Sequence, residues 1–219
     1  QCAGLKNFIA KDSPNLYIVD LVCHGVPSQK MLYEYINRRI NIKQVSNISF
    51  RQGNKFVFTV TGKDCQFSYN LWADRYADTY YNAFIDGISY RISCYNCQYA
   101  TKNRVADITI GDFWGLKDSS IFTVREGTGI SLILPCTNKG VFLLSAIEQE
   151  LEIIERSVDE AIMGNSQLRS PQKDSFRSRL FRCAYRFLPF DVSAGLSLSD
   201  KILRRLLSQL KRRLVHGTR

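Results

Sequence analysis

Histidine is almost missing from this 219-residue chain, with His24 and His216 its only two. That scarcity counts against a multi-histidine zinc site and against a His-based catalytic triad. Long apolar runs are missing too, since none approaches the roughly 20 residues that a membrane-spanning helix needs. The opening Gln1-Cys2-Ala3-Gly4-Leu5-Lys6 has neither the charged nor the apolar stretch of a secretion signal. There is no initiator Met, and the expectation is a fragment that begins inside a longer protein. Internal repeats and low-complexity tracts are absent. Seven cysteines without a secretion signal point to a cytoplasmic chain whose thiols stay reduced, for metal binding, catalysis or burial.

Positive charge is plentiful, a formal +10, but it is concentrated at one end. Residues 171–219 hold 12 Lys or Arg against 3 Asp, whereas the first 170 residues carry 18 basic and 17 acidic side chains. The body is electrically ordinary and holds no reading motif, so nucleic-acid binding is not expected. A boundary near Ser170-Pro171 fits this shift, giving a body of residues 1–170 and a basic tail of residues 171–219. The tail contains an aromatic segment from Phe181 to Phe190 and a last helix capped near Ser199. On that helix Leu203, Leu206, Leu207, Leu210 and Leu214 share one face and the cations crowd the other. Such a helix either packs its leucines on the body or lies on an acidic membrane surface or a partner, and the first reading leads.

The body mixes helix and strand. Leu16 to Val22 is an apolar run broken once by Asp20, and it stops at Cys23-His24-Gly25-Val26-Pro27-Ser28. It reads as a buried strand feeding a turn, after which Ser28 caps a helix with Met31, Leu32, Tyr35 and Ile36 on one face. Strand, turn and helix form one α/β unit on this reading. Ile48–Arg51, Phe56–Val60 and Gln66–Tyr69 alternate and are separated by Gly53-Asn54 and Gly62-Lys63-Asp64, which are hairpin signals. Trp72, Tyr76, Tyr80 and Phe84 recur at helical spacing. Strands follow at Ile108–Phe113 and Ile130–Pro135, then a helix from Val141 to Leu151 and a strand-like Ile153-Ile154. The expected class is mixed α/β, with antiparallel hairpins in a mixed sheet flanked by helices and a basic helical tail.

Cys94 and Cys97 are spaced to place two thiolates on one metal ion or cluster. A chance pair of reduced thiols and a redox dithiol are the alternatives, although the following Tyr99 to Asn103 reads as loop rather than as the helix a thioredoxin-like motif opens. Cys23 sits at a strand end, either aimed into a cleft or buried as a small hydrophobe. Arg104, Asp107, Thr109 and Asp112 punctuate the next strand. They read as the solvent face of an edge strand, with Gly111 and Gly115 permitting close approach of a planar or phosphorylated ligand as the other possibility. Cys65, Cys136 and Cys183 have no partner spacing and are taken as structural.

Several segments together resemble the β subunit of coenzyme F420 hydrogenase and dehydrogenase, in its C-terminal domain and its bacterial relatives. They are Ala3-Gly4-Leu5-Lys6-Asn7-Phe8, Val19 to Ser28, Ile48-Ser49-Phe50-Arg51, Tyr90-Arg91-Ile92-Ser93-Cys94-Tyr95-Asn96-Cys97, Asp107 to Gly115 and Gly127 to Leu132. Their order and spacing cover most of residues 1 to 170. The resemblance implies an oxidoreductase carrying FAD and a [4Fe-4S] cluster, with electrons passing between the cluster and the flavin and on to a hydride acceptor or donor. By position, Cys23, Cys94 and Cys97 match three cluster ligands, and the family's fourth cysteine falls just before Gln1. Cys2 aligns with a position that is apolar in the family. For the flavin the resemblance suggests His24, Gly25, Arg104 and Asp112.

The expected partner is a redox protein or a ferredoxin-like domain. Coenzyme F420 is a possible substrate, against which stands the continuation of Phe50-Arg51 as Gln52-Gly53-Asn54-Lys55-Phe56, without the Lys and Trp the family often carries there. The alternative functions are a zinc- or cluster-stapled interaction domain without catalysis, and an inactive fragment.

Overall fold

The computed structural model describes residues 1–11, 13–53, 55–116 and 129–216, with the backbone alone for residues 211–216. Gly127 and Thr128 of the family-like segment, and the side chains of Lys211 to Leu214, lie outside the described residues. The first half runs α1 (Cys2–Ile9), β1 (Val19–Leu21), α2 (Gln29–Asn37), β2 (Val45–Ser49), β3 (Val57–Gly62), β4 (Gln66–Asn70) and α3 (Thr79–Ile85). The second half runs β5 (Ile108–Asp112), β6 (Ser131–Pro135), α4 (Asn138–Ile147), α5 (Val158–Gly164), α6 (Phe176–Ala184), α7 (Phe190–Ser197) and α8 (Ser199–His216). The mixed α/β class is therefore present, but as two small sheets rather than one.

The chain forms two compact units, one from residues 1–24 with 96–172 and the other from residues 25–95 with 173–219. The strand and helix expected as one α/β unit fall on opposite sides of the first division, β1 in one unit and α2 in the other. The sequence boundary near Ser170-Pro171 lies close to the last division. Residues beyond it contribute to the core of the second unit.

In the first unit the strand order is β1-β5-β6, with β5 parallel to β1 and antiparallel to β6. The strand expected at an edge is thus the central one, and Thr109 and Asp107 are buried. Periodicity alone misread them, because polar residues on a strand face the interior when hydrogen-bond partners wait there. Helix α4 starts at Asn138, capped by Thr137, whose hydroxyl accepts from the Gly140 N–H at 3.2 Å. A Cβ on Gly140 would lie 2.0 Å from the Asp107 carbonyl oxygen, so this helix touches the start of β5 where only hydrogen fits. A smaller apolar cluster of Leu132, Ala161 and Leu168 fills this unit, with Val22, Phe113, Leu134 and Ile162 packed around it. Ile153 and Ile154, expected as strand, are exposed and pair with nothing in a sheet.

The second unit is built on the antiparallel order β2-β3-β4, with Phe58 facing Tyr69 and Ile48 facing Val60 across the ladders. Ser28 caps α2 as expected, accepting from the Lys30 N–H, and Tyr35 and Ile36 are fully buried. Tyr35 and Phe58 lie 5.8 Å apart, Tyr35 and Tyr80 5.4 Å, and Tyr80 and Phe190 5.5 Å, a cluster of tilted rings. Phe181 closes it against Phe190 at 5.6 Å. Glu34 fastens the late helices to α2, accepting from Tyr185 Oη at 2.8 Å and from the Phe190 N–H at 2.7 Å. The helix read from Trp72 to Phe84 is only α3. Tyr76 sits at φ 62°, outside helical backbone, and Asp78 starts the helix by accepting from the N–H groups of Tyr80 and Tyr81.

Candidate functional site

At the end of β1 a buried polar clasp holds the first unit together. Asp20 and Thr109 are register partners across β1 and β5, and the Thr109 hydroxyl donates to Asp20 Oδ1 at 2.5 Å. The Arg104 guanidinium donates to Asp20 Oδ2 at 2.8 Å, to the Leu21 carbonyl at 3.0 Å, to Thr109 Oγ1 at 3.3 Å and to the Tyr99 carbonyl. The side chains of Arg104 and Asp20 are 6% and 13% exposed. Leu21 stands two residues before Cys23, and Tyr99 two residues after Cys97. One guanidinium therefore fixes the approach to one thiol and the exit from another. Arg104, suggested from sequence as a flavin contact, has its donors engaged inside the unit.

Cys23 is exposed, while Cys94 and Cys97 are half-buried, and all seven cysteines are free thiols. Residues Ile92–Asn96 form a short 3-10 turn that carries Cys94. Cys94 Sγ lies 3.9 Å from the Val26 carbonyl, and the Arg91 N–H donates to that same oxygen at 2.9 Å. The Gly25 turn is thereby pinned to the strand-like Tyr90-Arg91. Gly25 has φ 133°, and a Cβ there would lie 2.4 Å from the Tyr90 ring, so glycine is required for both conformation and space. His24 is exposed, its Nδ1 3.0 Å from the Gln167 amide nitrogen, and Asp112 is exposed at the end of β5. Among the described residues, no three His, Cys, Asp or Glu side chains are grouped to hold a metal ion. Cys136, taken as structural, donates its thiol to the Leu134 carbonyl at 3.2 Å, whereas Cys65 and Cys183 are exposed.

Sequence reasoning missed a cavity of about 480 Å³ in the first unit, lined by Lys6, Lys11, Ser13, Asp107, Thr137 and Lys139 among others. Lys139 Nζ donates to the carbonyls of Ser13 and Leu16 at 2.7 and 2.6 Å. Asp107 accepts from the Ile18 N–H at 2.9 Å and from the Thr137 hydroxyl at 2.7 Å. Burial alone would raise the Asp107 carboxyl. The two hydrogen bonds, with Lys6 and Lys139 nearby, outweigh it and hold the group below the ordinary carboxylate range.

A depressed carboxyl stabilises the fold above its unfolded pKa of about 4, and that contribution is lost as pH falls through the lower folded value. Asp107→Asn is expected to cost about 1–2 kcal/mol at pH 7 and progressively less below pH 4. Urea unfolding at pH 7, 5, 4 and 3 measures it; a cost that stays constant down to pH 3 would contradict this linkage.

The family model for the C terminus of the coenzyme F420 hydrogenase/dehydrogenase β subunit matches residues 1–161. The chain belongs to that family. No curated protein matches it. Membership in the F420 hydrogenase/dehydrogenase β-subunit family makes it an oxidoreductase subunit, and a subunit implies a redox partner. The matched residues include Cys23, Cys94 and Cys97 as well as the Arg104 clasp and the lysine-lined cavity. No described helix is long and apolar enough to cross a membrane.

Proposed function

We propose that this chain is the part of an iron-sulfur flavoprotein that passes electrons between a [4Fe-4S] cluster and FAD. The observation that carries the reading is that the family match spans all three motif cysteines, each a free thiol at least partly open to solvent. These thiols suit iron in kind, being soft thiolate donors. Cys23, Cys94 and Cys97 would hold the cluster, which supplies one-electron transfer while the flavin supplies hydride transfer.

The chain's own residues position and bind. Arg104 and Asp20 hold the backbone just before Cys23 and just after Cys97 in place. Lys6 and Lys11 give the cavity a cationic lining suited to the phosphates of a dinucleotide, and the buried Asp107 anchors its floor through Ile18 and Thr137. His24, Gly25 and Asp112 are the candidates for contact with the flavin ring. Electrons would be exchanged with a redox protein or ferredoxin-like domain in the reducing cytoplasm, a setting that seven free thiols support. Coenzyme F420 is the hydride carrier to test first, since the family's description names it.

The test is anaerobic reconstitution of the full chain with iron, sulfide and FAD, followed by metal analysis and visible spectroscopy. A brown product with stoichiometric iron and sulfide and retained flavin is expected. Serine at Cys23, Cys94 or Cys97 should each remove most of the iron, while Cys183→Ser should remove none. A colourless chain, or one holding stoichiometric zinc and no flavin, would point instead to a stapled interaction domain.

A further inference from the structure

Helix α8 is an 18-residue amphipathic helix that does not use its apolar stripe to pack on the chain. The reading that its leucines cover the body is not what the structure shows: Leu203, Leu206, Leu207 and Leu210 are 57%, 47%, 56% and 54% exposed. The helix is attached through other groups. Ile202 packs on the aromatic core of the second unit, Lys201 Nζ pairs with Asp86 at 2.6 Å, and Arg177 pairs with Asp200. These contacts all lie in the first turn, and the four leucines that follow it stay about half exposed.

At about 100° per residue, the four leucines fall within an arc roughly 100° wide, and the same spacing recurs in the sequence at Leu214. Arg204 falls along one border of that arc and Arg205 opposite it. From residue 201 to the end there are seven Lys or Arg and no acidic residue. We propose that α8 lies in the plane of an anionic membrane surface, with its leucines among the acyl chains and its flanking cations on lipid phosphates.

Charge complementarity selects this occupant. A second copy of the chain would bring a like-charged helix against this one, whereas an anionic bilayer offers apolar depth bordered by negative charge in the same order as the helix. Cations beside the stripe reach back to the headgroups while their stems cover apolar surface. The helix is not apolar enough to span, so it lies on the membrane.

The experiment is co-sedimentation of the full chain with vesicles of phosphatidylcholine alone and of phosphatidylcholine with phosphatidylglycerol. Binding to the anionic vesicles is expected at 0.1 M salt, at least about tenfold tighter than to the neutral ones, and weaker at 0.5 M salt. Leu206→Ser with Leu210→Ser removes two exposed leucines without touching the core, and should weaken anionic-vesicle binding by about tenfold or more at unchanged helicity. Arg204→Gln with Arg205→Gln should lower it further at low salt than at high salt. Equal binding to both vesicle types, or a leucine variant that binds as well as the parent, overturns the proposal. So does a parent that fails to bind vesicles yet dimerises through the leucines in analytical ultracentrifugation, which assigns the stripe to a second copy.

Discussion

Replacing Arg104 by alanine should destabilise the first unit by about 3–5 kcal/mol, the range seen when one partner of a buried ion pair is removed. The lost attraction is the smaller part of this. Asp20, only 13% exposed, would lose its cationic partner, and the carbonyls of Leu21 and Tyr99 would lose their shared donor. Lysine at position 104 should restore less than half of the loss. A single ammonium on a flexible stem cannot reach two backbone carbonyls, a carboxylate and a hydroxyl in the way a planar fork does. The chain has two tryptophans, Trp114 in the first unit and Trp72 in the second. Urea unfolding followed by Trp114 fluorescence in a Trp72→Phe background therefore reads this unit. A shift under about 1 kcal/mol would mean that water replaces the guanidinium at no great cost. The same variant should also retain less iron after reconstitution, because the stretches leading to Cys23 and from Cys97 lose their common anchor.

Phe58→Ala should cost the second unit a similar about 3–5 kcal/mol. Phe58 is fully buried, stacks on Phe50 at 4.8 Å, and stands within 6 Å of the rings of Tyr35, Phe67 and Tyr80. Truncation removes the transfer free energy of the ring and leaves a cavity whose walls are themselves rigid rings, which collapse poorly. Phe58→Leu should cost less than half as much, since most of the volume is kept. Fluorescence of Trp72 in a Trp114→Phe background measures both variants, and equal costs for alanine and leucine would show that edge-to-face geometry rather than filled volume sets the stability.

Local signals in the sequence were read well where local physics decides. Ser28 and the spacing of Tyr35 and Ile36 specify α2 without help from the rest of the chain, and the turns at Gly53 and Gly62 specify the hairpins. Tyr76 and Asp78 are a failure of the same kind of evidence. Aromatic spacing continues through them, but a carboxylate accepting two backbone N–H groups sets the helix start further along. Thr109 and Asp107 were misread because alternation reports polarity, whereas burial depends on partners at Asp20, Ile18 and Thr137 that lie far away in the chain. The three cysteines stand out in a single sequence because their spacing and neighbours are distinctive. Arg104 stands out too, as a candidate cofactor contact, and its hydrogen bonds to Asp20, Leu21, Tyr99 and Thr109 are visible only in the fold. The lysine-lined cavity was invisible because Lys6, Lys11 and Lys139 meet only through the fold.

The division of the chain into interleaved pieces also sets a timetable for synthesis. Tyr35 and Tyr80 leave the ribosome long before Phe190, the ring that packs against both of them. At about 5–20 residues per second, helices α2 and α3 wait on the order of ten seconds with these two rings lacking their late partner. A nascent chain interrupted in that interval cannot close the second unit, however well its early segments have formed. The late helices are thus the step at which translation commits this protein to its fold.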